Sequence, residues 1–86
     1  MAEPRIFVVD DEPETRELIG DYLAMNGYSV RLLDGGAAMR KQMETERPDL
    51  VVLDLNMPGE DGLSIVRSLK SSTDVPVIML TATASL

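Results

Sequence analysis

The chain has 86 residues, enough for one hydrophobic core, and it is acidic, with 8 Lys and Arg residues against 15 Asp and Glu and a net charge of −7. It contains no cysteine and no histidine, which excludes disulfides, thiolate or imidazole metal sites and histidine catalysis. It has no basic run for nucleic acid, no signal-peptide pattern, and no segment near the roughly 20 apolar residues of a membrane span. We therefore expect a soluble cytoplasmic protein that binds neither nucleic acid nor membrane by itself.

The first predicted element is a strand that ends in acidic residues. Residues 6–9 are β-branched or aromatic apolar residues, and Asp10 and Asp11 follow them directly. Pro13 suits the first turn of a helix, and Asp11 and Glu14 are spaced as in a capping box. This helix is marked by four apolar residues at helical spacing, Leu18, Ile19, Tyr22 and Leu23.

The second strand and helix are shorter. An Asn-Gly pair at 26–27 ends the first helix, and residues 29–33 then form a less uniformly apolar strand, which favours a place at the sheet edge. A second helix follows and must end by Arg47, because Pro48 comes next. Its residues include Ala37, Ala38, Met39, Gln42 and Met43.

The third predicted strand carries an ionisable group where it ends. Residues 50–55 are continuously apolar except for Asp54, a pattern typical of a parallel strand covered on both faces. A loop with Met57, Pro58, Gly59 and Gly62 follows, so Asp54 is predicted at the carboxyl end of a strand, where parallel sheets bind ligands. The alternative is that Asp54 caps the loop by accepting hydrogen bonds from nearby backbone.

The last elements complete a strict alternation. Leu63, Val66 and Leu69 mark a third helix, ended by the polar residues 71–74, and residues 75–80 form a fourth strand with Pro76 near its start. Four strands alternating with three helices predict a parallel α/β sheet with right-handed crossovers. If the first crossover runs one way along the sheet and the later ones return past the first strand, the strand order is 2-1-3-4. The first helix then covers one face, and the second and third cover the other.

This topology brings three carboxylates from distant parts of the chain to one crevice. Asp10, Asp11 and Asp54 follow neighbouring strands about 4.8 Å apart, so they repel each other unless protons or a cation lie between them. No Lys or Arg adjoins either turn in the sequence, and three hard oxygen ligands favour Mg²⁺. Helix capping is the alternative for Asp10 and Asp11, but it accounts for one acid and not for three together.

These residues resemble the receiver domain of two-component response regulators, the phosphoacceptor module that sensor histidine kinases address. The resemblance rests on acids after the first strand, Asp54 after the third, the Met-Pro and Gly of the following loop, and Thr81-Ala82 after the fourth. It spans essentially the whole chain. It implies a flavodoxin-like doubly wound fold and a signalling module that is not an enzyme.

The resemblance also implies roles for single residues. Asp54 is expected to accept a phosphoryl group from a kinase phosphohistidine. Asp11 is expected to bind Mg²⁺ directly and Asp10 chiefly through water, with Asp54 and the backbone carbonyl of Asn56 completing the protein ligands.

Two further roles follow from the resemblance at the end of the fourth strand. Thr81 is expected to hydrogen-bond a phosphoryl oxygen, and Ala82 to leave room for it. Considered without the resemblance, Thr81 is only a β-branched residue that ends a strand.

The sequence departs from the family pattern after the fourth strand. The fifth strand with its lysine and aromatic residue and the last two helices are absent, and the only lysines, Lys41 and Lys70, are placed in or at the ends of the second and third helices. Residues 1–86 are therefore expected to be the N-terminal portion of a receiver domain, cut after the fourth strand. A DNA-binding effector domain in the parent protein is compatible with this interpretation.

Two classes of function stay open. In the first, the chain is a phosphoacceptor receiver with Mg²⁺ as its cofactor. In the second, it is a switching-incompetent fragment that self-associates through the uncovered sheet face and the edge of the fourth strand. A phosphatase with an aspartyl nucleophile is disfavoured, because residue 56 is Asn and not a second acid.

Overall fold

The fold was analysed in a computed structural model that describes residues 3–55, 57, 59 and 61–80. In this part of the chain, strands and helices alternate as the sequence predicts. The elements are β1 (Arg5–Val9), α1 (Pro13–Met25), β2 (Ser29–Leu33), α2 (Gly36–Met43), β3 (Leu50–Asp54), α3 (Gly62–Ser72) and β4 (Val77–Leu80). All strand pairs are parallel, and their order is β2-β1-β3-β4, which confirms the predicted α/β topology.

Each face of the sheet has its own hydrophobic core, because successive strand residues point to opposite faces. Phe7 and Leu53 point toward α2 and α3, where they pack with Met39 and Ile65. On the opposite face, α1 covers a smaller core that consists of Ile6, Val8 and Val52, with Ile19, Leu23, Val30, Leu50 and Leu80 packed against it. The predicted distribution of the helices over the two faces is confirmed.

The start of α1 differs from the predicted capping box. Its N-cap is Glu12, whose side chain makes no capping hydrogen bond, and Pro13 occupies the first turn as expected. The backbone N–H of Glu12 donates instead to Asp10 Oδ1 at 2.9 Å. Asp10 therefore closes the turn, and the predicted capping box between Asp11 and Glu14 was wrong.

The strand β4 is shorter than predicted. It begins at Val77 rather than at residue 75, because Pro76 has no N–H with which to join the ladder. Val75 is nevertheless buried in the core, and its N–H donates to Thr73 Oγ1 at 3.2 Å. The strand lies at one edge of the described sheet and β2 lies at the other, as the weaker apolar pattern of β2 predicts.

Several apolar residues that mark the helices in the sequence are exposed. On α1, Leu18 is 71% exposed and Tyr22 is 67% exposed, whereas Ile19 and Leu23 pack on the sheet. On α3, Leu63 is exposed and Ile65 takes the buried position. In the described part of the chain, no helix is both long enough and apolar enough to span a bilayer.

Candidate metal centre

The carboxyl ends of β1 and β3 lie side by side and carry three acids. Val9 pairs with Leu53 in the parallel register, so the next residues, Asp10 after β1 and Asp54 at the end of β3, lie at the same level. One carboxylate oxygen from each of Asp10, Asp11 and Asp54 lies within 4.8 Å of the others. We call these three residues the acidic cluster. The structure thus confirms the predicted convergence.

The three carboxylates of the acidic cluster differ in burial. Asp10 is only 3% exposed, Asp54 is half-buried, and Asp11 is exposed. Burial raises the pKa of the Asp10 carboxyl, and the neighbouring Asp54 and Asp11 raise it further, against the opposing effect of the Glu12 N–H. The deepest member of the cluster is therefore held in an environment that disfavours its negative charge.

Backbone contacts hold Asp10 in place. Its N–H donates to the carbonyl oxygen of Leu33 at 3.0 Å, and its own carbonyl accepts from Arg16 Nη1 at 2.8 Å. The sequence analysis missed Arg16, because it looked for cations only next to the acidic turns. Helical spacing could have revealed it. Arg16 precedes Ile19 and Gly20 by three and four residues, so it lies on the same side of α1, which faces the sheet.

The loop after β3 depends on a close approach between Gly62 and Leu55. A Cβ atom at Gly62 would lie 2.9 Å from Leu55 Cα, closer than real Cβ contacts. Met57 is buried, Gly59 has a φ of +76°, and Asp61 caps α3 by accepting from the N–H of Leu63 at 3.1 Å. Leu55 follows Asp54 directly, so Gly62 fixes the backbone next to the half-buried carboxylate.

The remaining predicted site residues, Asn56, Thr81 and Ala82, lie outside the described residues. The two lysines were predicted to lie away from the site. Lys41 and Lys70 are exposed in the last turns of α2 and α3. Because these helices run antiparallel to the strands, the two lysines lie at the end of the sheet where the strands begin, as expected.

The donors of the acidic cluster fit a hard divalent cation. They are all oxygens, and Mg²⁺ and Ca²⁺ prefer oxygen ligands. Two oxygens on one Mg²⁺ lie roughly 2.9 to 4.2 Å apart, because Mg–O distances are about 2.0–2.1 Å in an octahedral site. The carboxylate oxygens lie within 4.8 Å of one another, close to this range, and one of them can also bind the ion through water.

The chain also matches a known protein family. The family described as "Response regulator receiver domain" matches residues 6–86. The chain belongs to this family. The receiver fold expected from the sequence is thereby confirmed.

Curated relatives share the receiver but are longer. The chain is 46% identical to the response regulator MprA of Mycolicibacterium vanbaalenii over 79 residues, which are 91% of this chain and 34% of that protein. It is 39% identical to the transcriptional regulatory protein BaeR of Escherichia coli O6:H1, over 92% of this chain and 33% of that protein. The chain thus spans about a third of the length of these relatives.

Solved receiver structures have the same fold. The response regulator TrrA of Thermotoga maritima, solved in complex with Mg²⁺-BeF, matches with a TM-score of 0.86 and 36% identity, over 94% of this chain and 71% of that chain. TrrA has also been solved in complex with the histidine kinase ThkA, and that structure matches with a TM-score of 0.86 and 37% identity, over 95% of this chain and 72% of that chain.

Proposed function

We propose that this receiver accepts a phosphoryl group on Asp54. The observation that carries the proposal is the acidic cluster at the ends of β1 and β3, whose three carboxylates each place one oxygen within 4.8 Å of the others. Asp54 is the last residue of β3, pairs in register with Leu80 of β4, and is half-buried, so its carboxylate is both held in position and accessible. Asp10 is too deeply buried for this role.

The cofactor that fits the cluster best is Mg²⁺. Asp11 and Asp54 are proposed to bind it directly, Asp10 chiefly through water, and Asn56 through its backbone carbonyl. Bound there, Mg²⁺ supplies positive charge to the phosphoryl oxygens. The raised pKa of Asp10 supports this assignment, because a cation relieves the repulsion that contributes to it.

The proposed transfer is a nucleophilic displacement at phosphorus. A carboxylate oxygen of Asp54 attacks, the P–O bond forms, and the P–N bond to the kinase histidine breaks, which leaves an acyl phosphate. Thr81 is proposed to donate a hydrogen bond to a phosphoryl oxygen, and Ala82 to leave space beside it. Support comes from the register, since Leu80 pairs with Asp54 and Thr81 follows Leu80.

The proposed partner is a sensor histidine kinase. TrrA, which is 37% identical to this chain, has been solved with the histidine kinase ThkA. We further propose that the receiver acts in the cytoplasm as a signalling module and not as an enzyme. The name of BaeR, a transcriptional regulatory protein, supports a DNA-binding output in the parent protein.

The acceptor is tested with a small acyl phosphate and Mg²⁺, followed by intact mass measurement. The unmodified chain is expected to gain one phosphoryl group, and Asp54→Asn is expected to gain none. Asp34→Asn is the matched control, because Asp34 is an exposed acid that follows β2 and lies outside the acidic cluster. Equal labelling of all three proteins, or labelling of none, would contradict the proposal.

A second candidate is a fragment that keeps the acidic site without switching. The observation that favours it is the position of Lys41 and Lys70, the two lysines of residues 1–86, at the far end of the sheet from the acidic cluster. Neither lysine can then pair with the roughly two negative charges that phosphorylation adds. Mg²⁺ binding without phosphoryl gain in the same mass measurement would favour this candidate.

A further inference from the structure

Arg16 on α1 contacts the backbone in the middle of the acidic cluster. Its Nη1 donates a hydrogen bond to the carbonyl oxygen of Asp10 at 2.8 Å. Asp10 is only 3% exposed, and a buried carbonyl oxygen that lacks a donor costs stability. The side chain of Arg16 therefore satisfies a polar backbone atom inside the site, from a different element of the fold.

This contact acts on Asp11 through a shared peptide group. The carbonyl of Asp10 and the N–H of Asp11 belong to one planar unit, so a donor that fixes the carbonyl also fixes the direction in which the chain enters Asp11. Two other hydrogen bonds hold Asp10, from its N–H to Leu33 and from the Glu12 N–H to its Oδ1, but neither involves that peptide group. Asp11 is exposed, so burial does not fix its carboxylate.

Arg16 makes this contact although three acids lie near it. Glu17, Asp21 and Asp34 line the same pocket as Arg16, with a volume of about 530 Å³. In the described part of the chain, Arg16 forms an ion pair with none of them. Arg16 is half-buried, whereas the three acids are exposed. The guanidinium is therefore directed toward the turn that carries the acidic cluster and not toward these carboxylates.

The surroundings of Arg16 lie at the edge of the sheet opposite β4. The pocket is built from α1, β2, α2 and the turn before α2, and β2 is the strand farthest from β4 in the sheet. The contact between Arg16 and Asp10 thus depends only on elements of the first half of the chain.

We infer that Arg16 is a positioning residue for the Mg²⁺ site, and that it acts by fixing the peptide group between Asp10 and Asp11. The inference rests on the proposed binding of Mg²⁺ by Asp11. In this role Arg16 contacts neither the ion nor the phosphoryl group, and it holds the backbone from which a ligand extends. Outer partners that orient metal ligands typically contribute about 10- to 100-fold to metal affinity.

A positioning role and a purely electrostatic role predict changes of opposite sign. Arg16 brings a positive charge close to the acidic cluster, and this charge repels a divalent cation. If only the charge mattered, its removal would strengthen Mg²⁺ binding. If the position of the peptide group matters more, the removal of Arg16 weakens Mg²⁺ binding although a repulsive charge has been lost.

Isothermal titration calorimetry of the whole chain with MgCl₂ tests the inference. Arg16→Met removes the charge and the donors but keeps an unbranched side chain of similar helix propensity, and the Mg²⁺ affinity is expected to fall by about 10-fold. Arg16→Lys keeps a positive charge and a donor, so it is expected to recover part of this loss. The matched control is Arg40→Met, at an exposed arginine in the last turn of α2, which is expected to bind Mg²⁺ like the unmodified chain.

A second measurement separates positioning from general support of the fold. A hydrogen bond to a carbonyl polarises its whole peptide group, so Arg16→Met is expected to shift the amide ¹⁵N resonance of Asp11 without Mg²⁺, and Arg40→Met is expected to leave it in place. Far-UV circular dichroism shows whether each variant is folded. Arg16→Gln also removes the charge and is too short to keep the contact, so it takes the place of Arg16→Met should that variant not fold.

The outcomes distinguish this inference from the proposed function. A folded Arg16→Met chain that binds Mg²⁺ as tightly as the unmodified chain, or more tightly, would overturn the inference and leave the metal site standing. An unmoved Asp11 resonance would also overturn it. If the unmodified chain bound no Mg²⁺, the proposed metal site would fail, and the inference with it.

Discussion

The two ends of the sheet carry opposite kinds of charge cluster. Where the strands end, the acidic cluster brings three carboxylates together, and its deepest member has a raised pKa. Where the strands begin, Glu46 accepts two hydrogen bonds from Arg31, at 2.7 and 2.8 Å, and one from Gln42 at 2.6 Å. Arg5 adds an ion pair to Glu46 at 3.5 Å.

The difference separates a structural cluster from a candidate functional one. Hydrogen bonds from Arg31 and then from Gln42 lower the pKa of Glu46, so its charge is satisfied by the fold itself. The acidic cluster has a buried carboxyl with a raised pKa, an arrangement that costs stability and marks a candidate functional site. A cation bound there would offset the loss of stability that the buried carboxyl causes.

The largest expected effect concerns Mg²⁺ affinity at the acidic cluster. Asp11→Asn removes a proposed direct ligand, and the affinity is expected to fall by at least about 10-fold, the size of the effect seen even when outer partners of a metal site are removed. Isothermal titration calorimetry measures it. Asp34→Asn, at the same sheet edge, is expected to bind Mg²⁺ like the unmodified chain, and an equal loss in both variants would mean that only general charge matters.

The second effect concerns the backbone beside Asp54. Gly62→Ala places a Cβ atom 2.9 Å from Leu55 Cα, and the free energy of unfolding is expected to fall by about 1–3 kcal/mol, as overpacked sites usually do. Urea unfolding measures the change.

The matched control for that variant is Gly20→Ala in α1. There the added Cβ meets only the Leu32 side chain, which is partly exposed and able to move. Alanine in a helix is also favoured over glycine by about 1 kcal/mol, so the net change is expected to be small. A loss at Gly20 as large as that at Gly62 would show that the approach to Leu55 is not special.

The third effect is a gain of stability on removing a site acid. Asp10→Asn keeps an oxygen that accepts from the Glu12 N–H and removes the buried charge. Without Mg²⁺ at neutral pH, the variant is expected to be more stable by on the order of 1 kcal/mol, a usual size for single substitutions. Thermal unfolding measures it, and added Mg²⁺ is expected to stabilise the unmodified chain more than the variant.

The same residue gives a pH dependence whose sign can be worked out. Because the pKa of Asp10 is higher in the folded state than its ordinary value of 3.8, the folded chain binds more protons between those two values. This carboxyl's contribution to stability therefore falls as the pH rises from 3.8 through the raised pKa. When the free energy of unfolding is measured against pH without metal, Asp10→Asn is expected to remove this decrease in stability. Identical dependence of stability on pH in the two proteins would contradict the account.

The smallest effect is expected at the other end of the sheet, and it has the opposite sign. Glu46→Gln removes a surface ion pair in which the Arg31 side chain is 44% exposed and the Glu46 side chain 18% exposed. Surface ion pairs contribute little, so thermal stability is expected to decrease slightly at neutral pH. The lowered pKa of Glu46 means that its contribution is present above its ordinary value of 4.5 and is lost as the pH falls through the lowered pKa. High salt is expected to reduce the difference between variant and unmodified chain, and a gain of stability would contradict the assignment.

The sequence predicts most of the fold because its strands are strongly patterned. The alternation of apolar strands with helices predicted the parallel sheet, and the order 2-1-3-4 needed in addition an assumed direction for the crossovers. The acids that end β1 and β3 then predicted the acidic cluster. Strand ends depend on single residues, and Pro76 moved the start of β4 to Val77.

Contacts between distant residues were harder to predict. The cap of α1 depends on the geometry of the turn at Asp10, and the Arg16 contact depends on which side of α1 faces the sheet. The exposure of Leu18 and Tyr22 on α1 was hard to predict for a similar reason, since these two residues have the same spacing as core residues.

The most direct measurement of the central claim is a Mg²⁺ titration of ¹⁵N-labelled chain, followed by amide chemical shifts. A single divalent site predicts saturable shifts that are concentrated at Asp10, Asp11 and Leu55 and are small at Arg31 and Glu46. Shifts spread evenly over the acidic surface, or none at the end of the sheet where the acidic cluster lies, would contradict the account.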